Sequence, residues 1–156
     1  LRFKDALTID WGIVALFGGG IALGRAMFDT GLGAFLGDAW LRPLLAGNFD
    51  LLILVTVGVA VALSTIASNT AAANVIIPLV LAVAGADPAT GVPLALAATF
   101  GTSLGLTLPV STPGNAMVYA SKSIRLRDMM AVGLLVDLVC IPLVWAAVKA
   151  VPLVFR

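Results

Sequence analysis

The segment STIASNTAAAN, residues 64–74, interrupts a long apolar stretch with hydroxyl and amide side chains. The arms on either side of it, residues 51–66 and 75–86, are strongly apolar. A helical arm of about 16 residues measures roughly 24 Å, which is short of the roughly 30 Å hydrocarbon core of a bilayer. The segment therefore predicts a re-entrant helical hairpin over residues 51–86, entering and leaving the membrane at the same face.

A second interruption, LPVSTPGN at residues 108–115, splits an otherwise apolar run over residues 93–121. Pro109 and Pro113 each remove a backbone donor and clash with the preceding turn, and Gly114 adds backbone freedom. We expect a transmembrane helix over 93–121 that is broken at this point.

The surrounding segments predict further helices, and Asp87 is the sole charged residue in 51–121. Residues 11–28 and 129–148 are long and apolar enough for transmembrane helices. Residues 31–46, with Asp38 and Arg42, favour a shorter helix at the membrane interface. The fold class predicted over residues 1–156 is an all-α membrane protein with one transmembrane domain.

Composition supports this class and excludes others. Of the 156 residues 61% are hydrophobic and 11% charged, and the mean hydropathy is +1.13. A formal charge of +1 provides no basic footprint, so we expect no nucleic-acid partner. One cysteine and no histidine predict neither an internal disulfide nor a zinc or haem site. The start, LRFKDALTIDWG, is unlike a signal peptide, and its first residue, Leu1, suggests a piece of a longer polypeptide.

Basic residues predict the orientation in the membrane. Lys122, Arg125 and Arg127 lie in a short loop, which the positive-inside rule puts in the cytoplasm. Arg2 and Lys4 are cytoplasmic by the same rule, and the hairpin then opens from the outside. We expect a multi-pass protein of the bacterial inner or plasma membrane, in contact with lipid.

The two interruptions together predict one binding cavity. Unpaired backbone groups at membrane depth cost several kcal/mol each, so broken helices persist where they are buried in protein or line a water-filled site. The alternative for each break alone is a kinked helix packed by serine and threonine neighbours.

The chemistry of the breaks favours a cation and an anion bound together. Ser68, Asn69 and Thr70 offer neutral oxygen ligands, which suit a hard cation such as sodium. Helix N-termini expected near Ala71 and Asn115 attract an anion. Residues 51–121 contain no Lys, Arg or His, so an anion there needs a bound cation to offset its charge.

Four segments resemble a known family: STIASNTAAANVIIPL, LTLPVSTPGNAMVYA, WGIVALFGGGIALG and TGLGAFLG. Together they look like the C-terminal half of the divalent anion/sodium symporters, the INDY-type carriers of succinate, citrate and sulfate. The resemblance implies one half of an inverted-repeat transporter, whose N-terminal repeat is missing from this chain. It also implies sodium as the coupling ion, a small divalent anion as substrate, and a homodimer of the complete transporter.

The resemblance also implies roles for individual residues. Those expected to contact the substrate are Ser68, Asn69, Thr70, Thr112, Pro113 and Asn115. Those expected to bind sodium are Ser64, Ala67, Asn69 and Ser111. Gly114 stands where a proline is common in the family, which makes this loop softer.

Residues outside the motifs have structural alternatives. Gly18, Gly19, Gly20 and Gly24 predict close helix packing and are not a dinucleotide fingerprint, because no strand precedes them. Asp137, inside the last apolar helix, is either a functional residue or a structural hydrogen-bond partner for a neighbouring helix.

Three functions remain open. The leading one is a sodium-coupled transporter, or half of one. A sodium-independent anion exchanger could use the same loops, and a non-transporting membrane subunit would tolerate substitutions at residues 68–70. An enzyme is not expected, because the apolar core lacks a plausible general base.

Overall fold

The structure, a computed structural model, describes residues 11–32, 35, 38–39, 48–85 and 87–154. Within these residues every regular element is a helix. The helices are α1 (Trp11–Asp29), α2 (Phe49–Ile66), α3 (Asn69–Ala84), α4 (Pro88–Ser103), α5 (Pro113–Ala120) and α6 (Leu126–Val154). The all-α class predicted from the sequence is confirmed.

Short polar side chains start four of these helices. Asn48 accepts hydrogen bonds from the amides of Asp50 and Leu51, at 3.1 and 3.3 Å, and so caps α2. The caps of α3, α4 and α5 are Ser68, Asp87 and Thr112, each accepting from an amide of the first turn. Such caps satisfy donors that have no partner inside the helix, which explains why the helices begin at these residues.

Helix α4 packs against both arms of the hairpin, α2 and α3. Ile53, Val57 and Val61 recur at helical spacing on α2 and form the main core with Leu94 and Ala97 of α4. Ala60, Ile76 and Ala98 form a second cluster that joins α2, α3 and α4. These small and β-branched residues allow the three helices to approach closely.

The outer helices pack on this three-helix centre. Helix α1 contacts α3, and a Cβ atom added at Gly20 would lie 2.8 Å from the carbonyl oxygen of Asn74. The close approach expected of the glycine run therefore occurs at Gly20. Helix α6 contacts α2 and α4, and its Lys149 Nζ lies 2.7 Å from Asp50 Oδ2 at the start of α2.

Two of the described helices are long and apolar enough to cross a membrane, at residues Phe49–Ile66 and Leu126–Val151. The first is the leading arm of the hairpin and has 18 residues, about 27 Å of helix. Its length and composition suffice for a complete crossing, so they do not by themselves require the hairpin to re-enter. The re-entrant geometry stays a prediction.

Several predicted boundaries were wrong. Helix α4 begins at Pro88 and ends at Ser103, so the break in the 93–121 segment lies at Leu104–Thr112 and not at 108–115. Pro113 opens α5 at its first turn, where no backbone donor is needed. Helix α6 extends well beyond the predicted 129–148, and most of the predicted 31–46 helix lies outside the described residues.

Candidate ion and anion site

The connection between the hairpin arms consists of two residues. Ala67 ends α2 in an extended conformation, with φ −120° and ψ 172°. Ser68 is also extended, and its hydroxyl accepts a hydrogen bond from the amide of Ala71 at 3.2 Å. Asn69 is then the first residue of α3, and the exposed Thr70 follows it. The Ser-Asn-Thr motif thus forms the N-terminus of α3.

Ser64, one turn before this connection, is the centre of an oxygen cluster. The residue is fully buried, and its Oγ lies 2.6 Å from Asn69 Oδ1. The same Oγ lies 2.7 Å from the carbonyl oxygen of Thr102 and 2.9 Å from that of Leu104. Three acceptor oxygens therefore surround one hydroxyl, which has a single proton to donate.

The oxygen cluster depends on the way in which α4 ends. Gly105 has φ +102°, which L-amino acids with side chains rarely adopt, and it follows the last turn of α4. A Cβ atom at this position would lie 3.0 Å from both the carbonyl carbon and the Oγ of Ser64. Glycine therefore permits both the turn and the close approach that bring the Thr102 and Leu104 carbonyls to Ser64.

The cluster has the ligand chemistry of a hard monovalent cation. All four of its oxygens are neutral, coming from a hydroxyl, an amide and two backbone carbonyls. One proton can satisfy one acceptor, whereas a cation among the oxygens would interact favourably with all of them. Sequence analysis missed the two carbonyls. The signal for them was Gly105, directly after the polar Thr102 and Ser103 at the end of an apolar helix.

Residues of the second motif organise their own loop. The Ser111 hydroxyl donates to the Leu108 carbonyl oxygen at 2.6 Å, and the Asn115 side-chain amide donates to the same oxygen at 3.1 Å. Thr112 caps α5, and its carbonyl accepts the first intrahelical bond, from the Ala116 amide. Helix α5 therefore begins at Pro113, two residues before the start expected near Asn115.

The two motifs meet at an open cavity of about 600 Å³. Ser68 lines it from the hairpin side, and the other lining residues are Pro109, Val110, Ser111, Thr112, Pro113, Ala116 and Tyr119. Since Ser68 and Thr112 are the caps of α3 and α5, the N-terminal ends of both helices border this cavity. Helix N-termini carry partial positive charge and favour an anion.

Six of the nine predicted site residues fall into two groups. The structure brings Ser64 and Asn69 into direct contact, and it places Ser68, Ser111, Thr112 and Pro113 around one cavity. Ser111 and Asn115 use their side chains to hold the loop, and Ala67 closes α2 through its amide. The carbonyl of Thr70 accepts from the side-chain amide of Asn74 at 2.9 Å.

Asp137 is joined to this region from α6. Its Oδ1 accepts a hydrogen bond from the Gly105 amide at 3.1 Å, and its Oδ2 accepts from the Thr107 hydroxyl at 2.8 Å. The Leu106 amide lies within 3.2 Å of both carboxylate oxygens. The hydrogen-bond partners of Asp137 therefore lie in the break between α4 and α5 and not in a neighbouring helix, as the structural alternative had expected.

Known proteins resemble this chain along most of its length. The chain is 34% identical over 132 residues to an uncharacterized transporter of Haemophilus influenzae and 37% identical over 126 residues to the protein I'm not dead yet of Drosophila melanogaster. It is 33% identical over 142 residues to the sodium-dependent dicarboxylate transporter SdcS of Staphylococcus saprophyticus. These alignments cover 85%, 81% and 90% of the chain, but only 29%, 21% and 27% of the relatives. The chain therefore spans less than a third of their length.

A family-level comparison agrees with these relatives. The sequence model for the sodium:sulfate symporter transmembrane region matches residues 4–153. This match includes both polar motifs, the oxygen cluster at Ser64 and the cavity bordered by α3 and α5. The chain therefore belongs to the sodium:sulfate symporter family, the divalent anion/sodium symporters that its motifs resemble.

Proposed function

We propose that the chain is the C-terminal half of a secondary active transporter that couples sodium to the uptake of a small divalent anion such as a dicarboxylate, citrate or sulfate. The observation that carries this proposal is the neutral oxygen cluster at Ser64, next to a cavity bordered by two helix N-termini. The oxygen cluster is suited to a cation, and the cavity is suited to an anion.

The ion roles follow from the arrangement of the oxygens. Ser64 and Asn69 supply side-chain ligands for sodium, and the Thr102 and Leu104 carbonyls supply backbone ligands. Ala67 and Ser111 are the other proposed sodium ligands; the Ser111 hydroxyl donates its proton to the Leu108 carbonyl oxygen, which leaves the lone pairs of its own oxygen available. Filling the cluster would order the end of α4 against the tip of the hairpin.

The anion would bind in the adjacent cavity. Ser68, Thr112 and Pro113 line it, while Asn69, Thr70 and Asn115 lie at the helix starts beside it. Residues 51–121 contain no Lys, Arg or His, so the partial charges of the helix ends and bound sodium offset the charge of the anion. This requirement is the physical basis for coupling the two ligands.

The complete transporter would need further protein in addition to this chain. We propose that an N-terminal repeat supplies the opposite side of the anion site, and that the complete transporter is a homodimer in the plasma membrane. The relatives are more than three times as long as the aligned region, which leaves room for such a repeat. Inverted repeats of this kind move against each other in alternating access.

The test is uptake of radiolabelled succinate, citrate or sulfate by the complete protein in proteoliposomes. We expect an inward sodium gradient to drive uptake of at least one of them. Ser64→Ala should raise the sodium concentration for half-maximal uptake by at least about tenfold, because a buried ligand oxygen is lost. Thr65→Ala is the matched control, since the Thr65 hydroxyl bonds to Val61 within its own helix.

Three results would contradict the proposal. Anion exchange that ignores the sodium gradient would favour the exchanger, and equal sodium dependence in Ser64→Ala and Thr65→Ala would remove the oxygen cluster from the cation site. Transport activity that survives loss of the whole tip, residues 68–70, would favour a non-transporting subunit.

A further inference from the structure

Asp137, in the middle of α6, places a carboxylate next to the segment that carries the Leu104 carbonyl of the oxygen cluster. Asp137 is 2% exposed, and it is among the largest fully enclosed side chains described. Three donors on residues 105–107 bind its two oxygens. A buried carboxylate without compensation costs several kcal/mol, so its position has a structural or functional cause.

One peptide group connects Asp137 with the oxygen cluster. The carbonyl of Leu104 and the amide of Gly105 belong to the same planar unit. The carbonyl oxygen lies 2.9 Å from Ser64 Oγ, and the amide nitrogen lies 3.1 Å from Asp137 Oδ1. The carboxylate therefore holds one end of a peptide whose other end faces the proposed cation.

This connection has two physical consequences. Because the peptide is planar, fixing the direction of the Gly105 N–H also fixes the direction of the Leu104 carbonyl. A negative acceptor on the N–H also polarises the amide and increases the partial negative charge on the carbonyl oxygen. Both effects make Leu104 a better ligand for a cation than an unanchored loop carbonyl would be.

The charge balance supports the same role. All oxygens of the cluster are neutral, so a sodium ion bound there has no counter-charge in its direct ligands. Within the part of the chain that the structure describes, no basic side chain forms an ion pair with Asp137. A cation at Ser64 would therefore compensate the nearby carboxylate, and the carboxylate would compensate the cation.

We infer that Asp137 is a positioning residue for the coupling ion, which orients and polarises the Leu104–Gly105 peptide so that its carbonyl binds sodium. The inference rests on the proposed sodium-coupled function and assigns a role to a residue outside both motifs. Asp137 acts through the peptide and does not itself touch the ion.

The test uses the complete transporter with Asp137→Asn. Asparagine keeps the shape and one acceptor oxygen for the residue 105–107 donors but removes the charge. We expect the sodium concentration for half-maximal uptake to rise at least about tenfold, or about 1.4 kcal/mol. The maximal rate at saturating sodium should stay above about half of the wild-type rate, since a positioning residue for the ion changes binding more than turnover.

A second readout does not depend on transport. Sodium binding to the folded protein raises its melting temperature, and the sodium concentration needed for this rise reports the affinity. Potassium at equal ionic strength corrects for salt effects. Asp137→Ser is measured beside Asp137→Asn. If one of the two variants does not fold, the other still reports the sodium affinity.

Two further variants separate charge from anchoring. Asp128→Asn, an exposed acid in the first turn of the same helix, should leave the sodium dependence unchanged. Thr107→Val removes the hydroxyl donor to the carboxylate but keeps the hydrogen bonds from the Gly105 and Leu106 amides. It should shift the sodium concentration for half-maximal uptake by less than about threefold. A shift of tenfold or more in Thr107→Val would show that the affinity depends on the Thr107 contact and not on the Leu104–Gly105 peptide, and would overturn the inference.

The outcomes also distinguish this inference from the proposed function. If the wild-type protein shows neither sodium-driven uptake nor sodium-dependent stabilisation, the sodium-coupled function is wrong. If the wild-type protein shows both and Asp137→Asn or Asp137→Ser has an unchanged sodium dependence, only the role of Asp137 is wrong.

Discussion

Asp87 illustrates how much a single polar residue contributes to the local fold. Its Oδ2 accepts a hydrogen bond from the Thr90 hydroxyl at 2.7 Å, and its Oδ1 accepts from the Ala89 amide at 3.0 Å. These bonds, that from Thr90 foremost, hold the pKa of Asp87 below its ordinary value of 3.8. The lowered pKa means that the ionised carboxylate stabilises the folded state.

This shift predicts a pH dependence. The stabilisation by Asp87 is complete above its ordinary pKa of 3.8 and is lost as the pH falls through the lower pKa of the folded state. We therefore expect Asp87→Ala to melt at a lower temperature than wild type at pH 7, with the difference shrinking as the pH falls below 3.8. Thermal unfolding of the complete protein in detergent measures it. Asp87→Asn keeps a capping side chain without the charge, so its deficit in melting temperature relative to wild type should also shrink in acid. A deficit of Asp87→Ala that stays constant with pH would refute the charge effect.

At this scale the sequence predicted residue types better than residue contacts. Ser64 and Asn69 were expected to act together, and their side chains touch. Ser111 lines the cavity, but the motif did not predict that Ser111 and Asn115 both donate to the Leu108 carbonyl oxygen. Hydroxyl and amide groups satisfy nearby backbone acceptors when a loop offers them, and the loop conformation that offers them cannot be deduced from residue types.

Among the elements, α2 and α4 approach each other closely beside the oxygen cluster. A Cβ atom at Gly101 would lie 2.7 Å from Ala60 Cβ and 3.0 Å from the Val57 carbonyl oxygen. Neither atom is the end of a flexible side chain, so the helices would have to separate. Gly101 thus sets the distance between α2 and the end of α4, where the Thr102 and Leu104 carbonyls lie.

We predict that Gly101→Ala destabilises the complete protein by about 1–3 kcal/mol, the usual range for overpacking. It should also raise the sodium concentration for half-maximal uptake, because the Thr102 carbonyl moves away from Ser64. Gly58→Ala is the matched control: it lies on the same helix as Ala60, and a Cβ there meets nothing within 4 Å. Melting temperatures of the two variants measure the effect. Equal stability would show that the α2–α4 spacing is not limited by Gly101.

The position of the break shows where sequence reasoning about elements reached its limit. Pro109 and Pro113 predicted a break at 108–115, but α4 already ends at Ser103. The cause is tertiary, because the Asp137 carboxylate binds the Gly105 and Leu106 amides and Gly105 takes a positive φ. A partner more than 30 residues away in sequence is outside the reach of local helix-breaking rules, which located the break within a few residues.

For the whole molecule, the exposed apolar surface indicates that further protein or lipid covers it. Val132, Leu135 and Leu143 of α6 are 63%, 64% and 61% exposed, while Gly133, Asp137 and Val148 of the same helix are buried. Helix α6 therefore has one face that packs against the protein and another, apolar face that is exposed. Near the cavity, Val110 and Met117 are 67% and 70% exposed. Val110 lies in the break between α4 and α5, where lipid alone would leave backbone hydrogen-bonding groups unsatisfied.

This surface leads to a prediction about the 156-residue chain expressed by itself. We expect it to insert into membranes but not to transport, because its cavity has protein on one side and alternating access needs a second repeat to move against. Uptake of succinate or sulfate into proteoliposomes under a sodium gradient measures this, with the complete transporter reconstituted in parallel. Co-reconstitution with the remainder of the transporter, expressed as a separate chain, should restore uptake if the missing repeat supplies the opposite side. Sodium-driven uptake by the short chain alone would contradict the prediction and would mean that copies of this chain assemble into the complete cavity.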